Sequence, residues 1–204
     1  MTVTGIVPLD KRRSKVFLEE DFAFVLYKGE LRRYHIEEGG EVSEEAYREI
    51  MALIICKRAR ERAVNILKNS DKTELELRRK LRDGFYPEEA IDSAIKMLKD
   101  YRYVDDENYA TRYVETQGSK KSKRQLSFDL ERKGIDRDTI TRLLEDNPVD
   151  EESQIRDFLR KKHYEPGKTE QKERAKLAAA LGRKGFSFES IKRAMATDFD
   201  EESF

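Results

Sequence analysis

The sequence predicts a mainly α protein: an N-terminal β-hairpin followed by an elongated array of three tandem three-helix repeats. Three observations predict it. A leucine and an isoleucine ten residues apart recur about every fifty residues, as Leu81 with Ile91, Leu130 with Ile140 and Leu181 with Ile191. Ahead of them, Lys15 to Tyr27 reads KVFLEEDFAFVLY, alternating and rich in β-branched and aromatic residues. Of the 204 residues, 37% are hydrophobic and 41% charged. That apolar share is low for one spherical body but natural for units that touch only their neighbours.

In chain order, residues up to about Arg13 read as a loose arm. The alternating stretch breaks at Glu19 to Asp21, a polar turn, which makes it a hairpin. An isolated hairpin is marginal in water, so one face, Phe22, Phe24 and Leu26, is expected to pack on a helix. Gly29 to Gly40 fits either a short helix or a third strand. Ser43, with Glu44 and Glu45, opens a long helix carrying Tyr47, Ile50, Met51 and Ile54, then Ala59, Ala63, Ile66 and Leu67. Two shorter helices with a bend near Lys57 fit the same pattern, and Asn69 to Lys72 ends it.

Within the repeats the chain reads LRDGFYPEEAI, LERKGIDRDTI and LGRKGFSFESI. A helix ends, glycine permits the turn, an apolar residue tucks in, and a second helix begins. Thr73 and Ser122 stand eight residues before the leucine, with Glu76 or Gln125 three positions on, the spacing of a capping box. The third copy has Glu173 there instead. After the isoleucine the apolar stripe continues as Ala94, Ile95 and Leu98, then Leu143 and Leu144, then Ala194 and Met195. Asn147-Pro148 marks a boundary. The domains expected are thus 1–42 (arm and hairpin), 43–100 (linking helix and first repeat), 101–147 (second repeat) and 148–204 (third repeat, with an acidic tail from Asp198).

Between the first and second repeats lies YRYVDDENYATRYVET, Tyr101 to Thr116. Tyr109, Ala110, Tyr113 and Val114 form one helical stripe, and Asp105, Asp106 and Glu107 precede it, where carboxylates meet free N–H groups and the positive end of the dipole. Asp105, Asp106, Tyr109 and Tyr113 are therefore expected to hold a structural junction. Tyr101 and Tyr103 are read into the same core rather than as a base-stacking platform.

The formal net charge is zero, so global charge argues against strong nucleic-acid binding and only local distribution could favour it. Basic residues cluster on the lead and middle helices of each repeat, while Glu88, Glu89, Asp92, Asp100, Glu145, Asp146, Glu151 and Glu152 balance them on last helices and junctions. Much of this alternation is what solvated helix faces carry. The cluster GSKKSKR, Gly118 to Arg124, sits in a loop ahead of a capped helix and fits either a phosphate site or a lysine loop that serves only solubility. The single cysteine, Cys56, allows no internal disulfide and reads as a buried small apolar residue. His35 and His163 are far apart and lack a ligand pattern. No catalytic residue, metal site or cofactor is expected. The apolar run MALIIC is far too short to span a bilayer and no signal-peptide run is present, so a cytoplasmic protein without a membrane is expected.

YVDDENYATRYV, followed by SKRQLSFDLERKGI, resembles the RecX family of bacterial regulatory proteins, and the similarity runs from about Ser14 to Phe199. One departure is visible: the position matching Gly134 and Gly185 is Phe85, with glycine one residue early at Gly84. The resemblance implies a non-enzymatic monomer that binds the RecA recombinase filament, and with it single- or double-stranded DNA. It implies modulation, chiefly inhibition, of the recombinase's ATPase, strand-exchange and coprotease activities in DNA repair, recombination and the SOS response. Arg78, Arg79, Lys120, Lys121, Lys123, Arg124, Lys161 and Lys162 are the residues expected to make that contact. A stand-alone DNA-binding repeat protein and a general protein-interaction scaffold are the alternatives.

Overall fold

The computed structural model describes residues 1–196, so the acidic tail from Asp198 lies outside the described residues. The chain divides into two compact units, Met1–Asp105 and Asp106–Phe204.

The first unit opens with a three-stranded antiparallel meander, β1 (Val3–Pro8), β2 (Arg13–Leu18) and β3 (Asp21–Tyr27), in the order β1-β2-β3. The predicted hairpin is β2 with β3. The expected loose arm is instead β1: Val3, Ile6 and Val7 give it strand character, and the Asp10 carboxylate gathers the Arg12 and Arg13 amides at 2.8 and 2.9 Å to turn the chain. Its free edge is closed by the following loop, since Val3 N donates to Gly40 O and Gly39 N to Val3 O, both at 2.8 Å. Phe24 and Leu26 are fully buried, and the Phe24 ring lies 5.9 Å from that of Tyr47. Phe22 departs from the expected face. A bulge between Val16 and Phe17 pairs it with Phe17, edge to face at 6.0 Å, and leaves it 36% exposed.

Gly29 to Gly40 resolves to a short helix, α1 (Lys28–Arg33), and a loop. The long helix is continuous, with a π-helical turn that ends just ahead of Lys57, where a bend was the alternative. It runs as α2 (Glu44–Glu49), capped by Ser43 on Ala46 N, then the π segment Ile50–Ile55, then α3 (Cys56–Leu67). Cys56 N–H donates to Met51 O, five residues back. That widening aligns Ile50 with Ile55 and Met51 with Cys56, so an apolar run too long for one 3.6-residue stripe still faces inward. Leu53 is left 61% exposed. The helices α4 (Glu74–Asp83) and α5 (Glu88–Asp100) complete the unit, and Leu77, Leu81, Ile91 and Leu98 share one core with the sheet.

The second unit holds α6 (Asp106–Gln117), α7 (Lys123–Arg132) and α8 (Arg137–Asp146), then α9 (Glu151–Lys161), α10 (Gln171–Arg183) and α11 (Phe188–Ala196). Each triplet has its own core. One gathers Ala110, Val114, Leu126, Leu130, Ile140 and Leu143, and the other gathers Ile155, Leu159, Leu177, Leu181, Ile191 and Ala194. Full burial of each such leucine or isoleucine contributes roughly 1.5–3 kcal/mol.

The predicted caps are buried at the starts of the middle helices. Thr73 accepts from Glu76 N at 3.3 Å while Glu76 returns a carboxylate to Thr73 N at 3.2 Å, a complete capping box. Ser122 accepts from Gln125 N and donates to Lys184 O at 2.8 Å, so its hydroxyl also ties the second triplet to the third. In α10, Glu173 falls within the first turn, and the N-cap, Glu170, makes no side-chain cap hydrogen bond.

The helix ends follow one geometry. At the end of α4, Phe85 N donates to Arg82 O and Tyr86 N to Leu81 O. The ends of α7 and α10 repeat this, with Ile135 N on Leu130 O and Phe186 N on Leu181 O. The turning residue is left-handed, with φ of 91° at Gly134, 86° at Gly185 and 60° at Phe85. Phe85 thus does glycine's task itself, and Gly84, one residue early, takes an ordinary φ of −82°. Lys15 Nζ lies 3.8 Å above its ring, so the side chain earns a contact with the sheet in exchange for the strained backbone.

A polar network braces α6 against α7. Tyr109 and Tyr113 stack at 6.3 Å. The Tyr113 hydroxyl donates to Asp129 Oδ2 at 3.0 Å, and Lys121 Nζ reaches both Tyr113 Oη and Asp129 Oδ2 at 2.7 Å. Burial pushes the Asp129 carboxyl up, but the Lys121 and Tyr113 hydrogen bonds outweigh it and hold the group below its usual range. Asp129, and next Tyr113, raise the Lys121 ammonium above its ordinary value.

Two stability predictions follow from this packing. A Cβ at Gly185 would lie 2.6 Å from Ser122 Oγ on a backbone already left-handed, so Gly185→Ala should lower the unfolding free energy by about 2 kcal/mol or more, read by urea denaturation. Asp129→Asn should cost about 1 kcal/mol near neutrality, discounted for partial exposure. Because the folded pKa of Asp129 is depressed, its contribution is present at neutral pH and lost on acidification. The variant should therefore lose less stability than the parent below about pH 4.

Candidate interaction surface

The cations expected to make a contact separate into two kinds once their surroundings are known. Arg78 is internal to its triplet: its guanidinium donates to Glu74 at 2.8 Å and Asp92 at 2.7 Å, which raise its pKa in that order. Lys121 is held by Asp129 and Tyr113, as above. Both brace the fold rather than face outward. Arg79 on α4 is exposed, as are Lys120, Lys123 and Arg124 around the start of α7 and Lys161 and Lys162 at the end of α9. Among the described residues the side chains of these six have no hydrogen-bonding or ion-pair partner.

The start of α7 differs from the phosphate site that the sequence allows there. Glu151, at the head of α9, places Oε1 2.8 Å from Lys123 N, so an internal carboxylate already meets the helix N-terminus. Gln154 adds a hydrogen bond from Nε2 to Gly118 O at 2.7 Å, which pins the lysine loop from beneath. An incoming phosphate would thus meet lysine and arginine side chains at this place, not backbone amides. The surface is also wider than the loop. The Ser122–Lys184 bond and the close approach of Gly185 to Arg124 bring the Arg183–Lys184 turn beside Lys123 and Arg124. Lys184 Nζ lies 5.8 Å from the Phe158 ring, and Arg183 is exposed. The matching RKG at 132–134 and 183–185 was the available signal, but nothing in it says which cap the turn packs on.

The residues read as a junction lie as follows. Asp106 and Glu107 form the acidic first turn of α6, Asp105 precedes it, and Tyr109 and Tyr113 are half-buried beneath Lys133, whose Nζ is 5.1 Å from the Tyr109 ring and 5.8 Å from that of Tyr113. Tyr101 and Tyr103 do not join a core; they are 70% and 66% exposed.

Chemistry beyond binding finds little to work with. Cys56 is buried, and that burial pushes its thiol pKa up, away from a nucleophile's range. His35 and His163 occupy left-handed helix-end turns, with φ of 49° and 52°. No group of three or more potential metal ligands occurs among the described residues, and no described helix is long and apolar enough to cross a membrane. A cleft of about 550 Å³ in the second unit is walled by Val114, Ser119, Asp146, Asp150, Ser153 and Gln154, and no histidine, cysteine or lysine lines it to activate either serine.

Comparison with known proteins fits this architecture. The profiles of the RecX first, second and third three-helix domains match residues 59–98, 105–144 and 150–195. The chain is 33% identical over 199 residues to a protein named Regulatory protein RecX from Caldanaerobacter subterraneus subsp. tengcongensis, covering 96% of this chain and 98% of that one. It is 31% identical over 195 residues to the protein of the same name from Clostridioides difficile, covering 93% and 92%. Among solved structures, the fold is similar to a crystal structure of regulatory protein RecX, with a TM-score of 0.63 at 23% identity over 96% of this chain and 99% of that one. The RecX of Lactobacillus salivarius has a TM-score of 0.59, covering 69% and 94%. Three matched domains in tandem, and relatives about a third identical from end to end, carry one conclusion: this chain belongs to the RecX family of regulatory proteins.

Proposed function

We propose that the protein is a non-enzymatic regulator that binds the assembled RecA–DNA filament in the cytoplasm and lowers the recombinase's ATP turnover, and with it strand exchange and coprotease activity. Beside the family, one observation supports this reading above the others. In a chain of zero net charge, exposed cations without partners among the described residues recur on all three helical triplets, at Arg79, at Lys120, Lys123 and Arg124, and at Lys161 and Lys162. A filament repeats its own charges along its length. Tandem units that each contribute a weak contact then bind with an avidity none has alone. The composite patch of Lys123, Arg124 and Arg183 is the strongest of these contacts because two triplets supply it.

The deciding measurement is the single-stranded-DNA-dependent ATPase of the cognate recombinase, titrated with this protein. A fall in turnover at substoichiometric amounts, with weak binding to bare DNA, is the expected outcome. Unchanged turnover with tight binding to bare DNA, falling with salt at a log–log slope of about −0.9 per phosphate neutralised, would instead make it a stand-alone DNA-binding protein.

Charge neutralisation at the two kinds of cation should separate cleanly. Replacing Lys120, Lys123 and Arg124 together by serine should weaken filament binding by roughly tenfold while leaving thermal stability within about a degree of the parent, since exposed charges of this sort contribute tenths of a kcal/mol to folding. Lys121→Ala should do the reverse, lowering the melting temperature by several degrees because Asp129 loses its counter-charge. Equal filament affinity in the triple variant would remove this patch from the contact.

A further inference from the structure

The helix ends at His35, Phe85, Arg102, Gly134, His163 and Gly185 all turn through a left-handed residue. In this motif the next residue is apolar and packs back on the helix it follows. Ile36, Ile135, Tyr164 and Phe186 are buried there, and Tyr86 is half-buried. The end of α5 is the exception. Its next residue, Tyr103, points into solvent, and Val104, 4% exposed, fills the place one position later, its N–H reaching Leu98 O at 3.4 Å.

The turn itself is nonetheless pinned. Tyr101 N donates to Met97 O at 3.1 Å, Arg102 N to Lys99 O at 2.9 Å and Tyr103 N to Leu98 O at 2.8 Å. On this fixed backbone the two tyrosine rings stand 6.3 Å apart, tilted by 34°. Between them Arg102 holds φ at 56°, where glycine would sit with less strain, and its guanidinium has no partner among the described residues. Neither tyrosine is needed to fill a core, and the arginine strains the turn it occupies.

We propose that Tyr101, Arg102 and Tyr103 form a protein-docking knuckle for a partner surface that offers an apolar recess rimmed by lysine or arginine. Tyrosine and arginine are the side chains that dominate binding energy at protein interfaces, and a pinned turn loses little entropy on binding. The charge around the knuckle selects the partner. The exposed Asp100 and Asp105 lie on either side of Arg102 and favour a basic rim opposite them, while Arg102 takes a hydrogen-bond acceptor at its centre. The knuckle rests on the functional reading above, and on that reading the partner is a recombinase protomer in the filament.

The test uses the full chain and two variants, Tyr101→Ser with Tyr103→Ser, and Arg102→Gly. Each is titrated against RecA filament assembled with a non-hydrolysable ATP analogue on a labelled single-stranded oligonucleotide, and against the bare oligonucleotide. The double variant is expected to bind filament about tenfold more weakly, with unchanged melting temperature and unchanged binding to the bare strand. Arg102→Gly is expected to melt at the same or a higher temperature yet bind filament more weakly, a combination that a structural role would not produce. Filament affinities within about twofold of the parent would overturn the knuckle, and a parallel loss on the bare oligonucleotide would replace it with base stacking. A melting temperature lowered in both variants would make the three residues structural and overturn it as well. Failure of the parent chain itself to bind filament would overturn the functional reading first, and the knuckle with it.

Discussion

The left-handed turn at the helix ends is the constraint on which the repeats depend. A helix of ten or so residues must stop and send its successor back across the same small core, and the last carbonyls it exposes need donors. The turn at Phe85, Gly134 and Gly185 meets both needs, because the amides that close it also aim Tyr86, Ile135 and Phe186 at the leucines of the middle helix. Each triplet therefore has a floor as well as walls. Glycine is the comfortable residue for that turn, yet His35, Phe85 and His163 adopt it as well, so the packing of Ile36, Tyr86 and Tyr164 outweighs a strain of about 1 kcal/mol per site.

The same economy of contacts explains the electrostatics. Small cores leave much of each helix at the surface, and many of its charges are spent on the fold: Arg78 on Glu74 and Asp92, Lys121 on Asp129, Arg82 on Glu88, Arg142 on Glu107. Glu151 is used as a cap for a helix other than its own. Which cations remain without a partner among the described residues is more informative than the total. The cations around the start of α7 stay outward because the positions beneath them are already filled by Ser122, Gln154 and Glu151. Residues 120–124 and 183–184 share one surface where the Ser122 hydroxyl donates to Lys184 O across the two triplets.

Most of the helical plan was legible in the residues, for reasons that are local. Capping residues at Thr73 and Ser122, the turn glycines at 134 and 185, and apolar stripes at 3.6-residue spacing act within a few positions of themselves. The hairpin was legible for the same reason. The strand β1 was not, because its stabilisation comes from β2 and from the loop at Gly39 and Gly40, more than thirty residues away. Nor was the π turn, which arises only because Ile50, Met51, Ile55 and Cys56 must all face one core. The binding residues were half legible. Composition picks out clusters of lysine and arginine, but whether a cation is a brace or a contact depends on which carboxylate lies across the fold.

The sequence by itself determined the order of the elements, the tandem repetition and the family, since each is written in short-range patterns that need no partner to be recognised. Only the tertiary structure decided which charges are free, which turn residue is strained and where Tyr101 and Tyr103 stand. Those outcomes depend on groups brought together from tens of residues apart, and an ion pair or a buried ring is a property of that proximity, not of the residue alone.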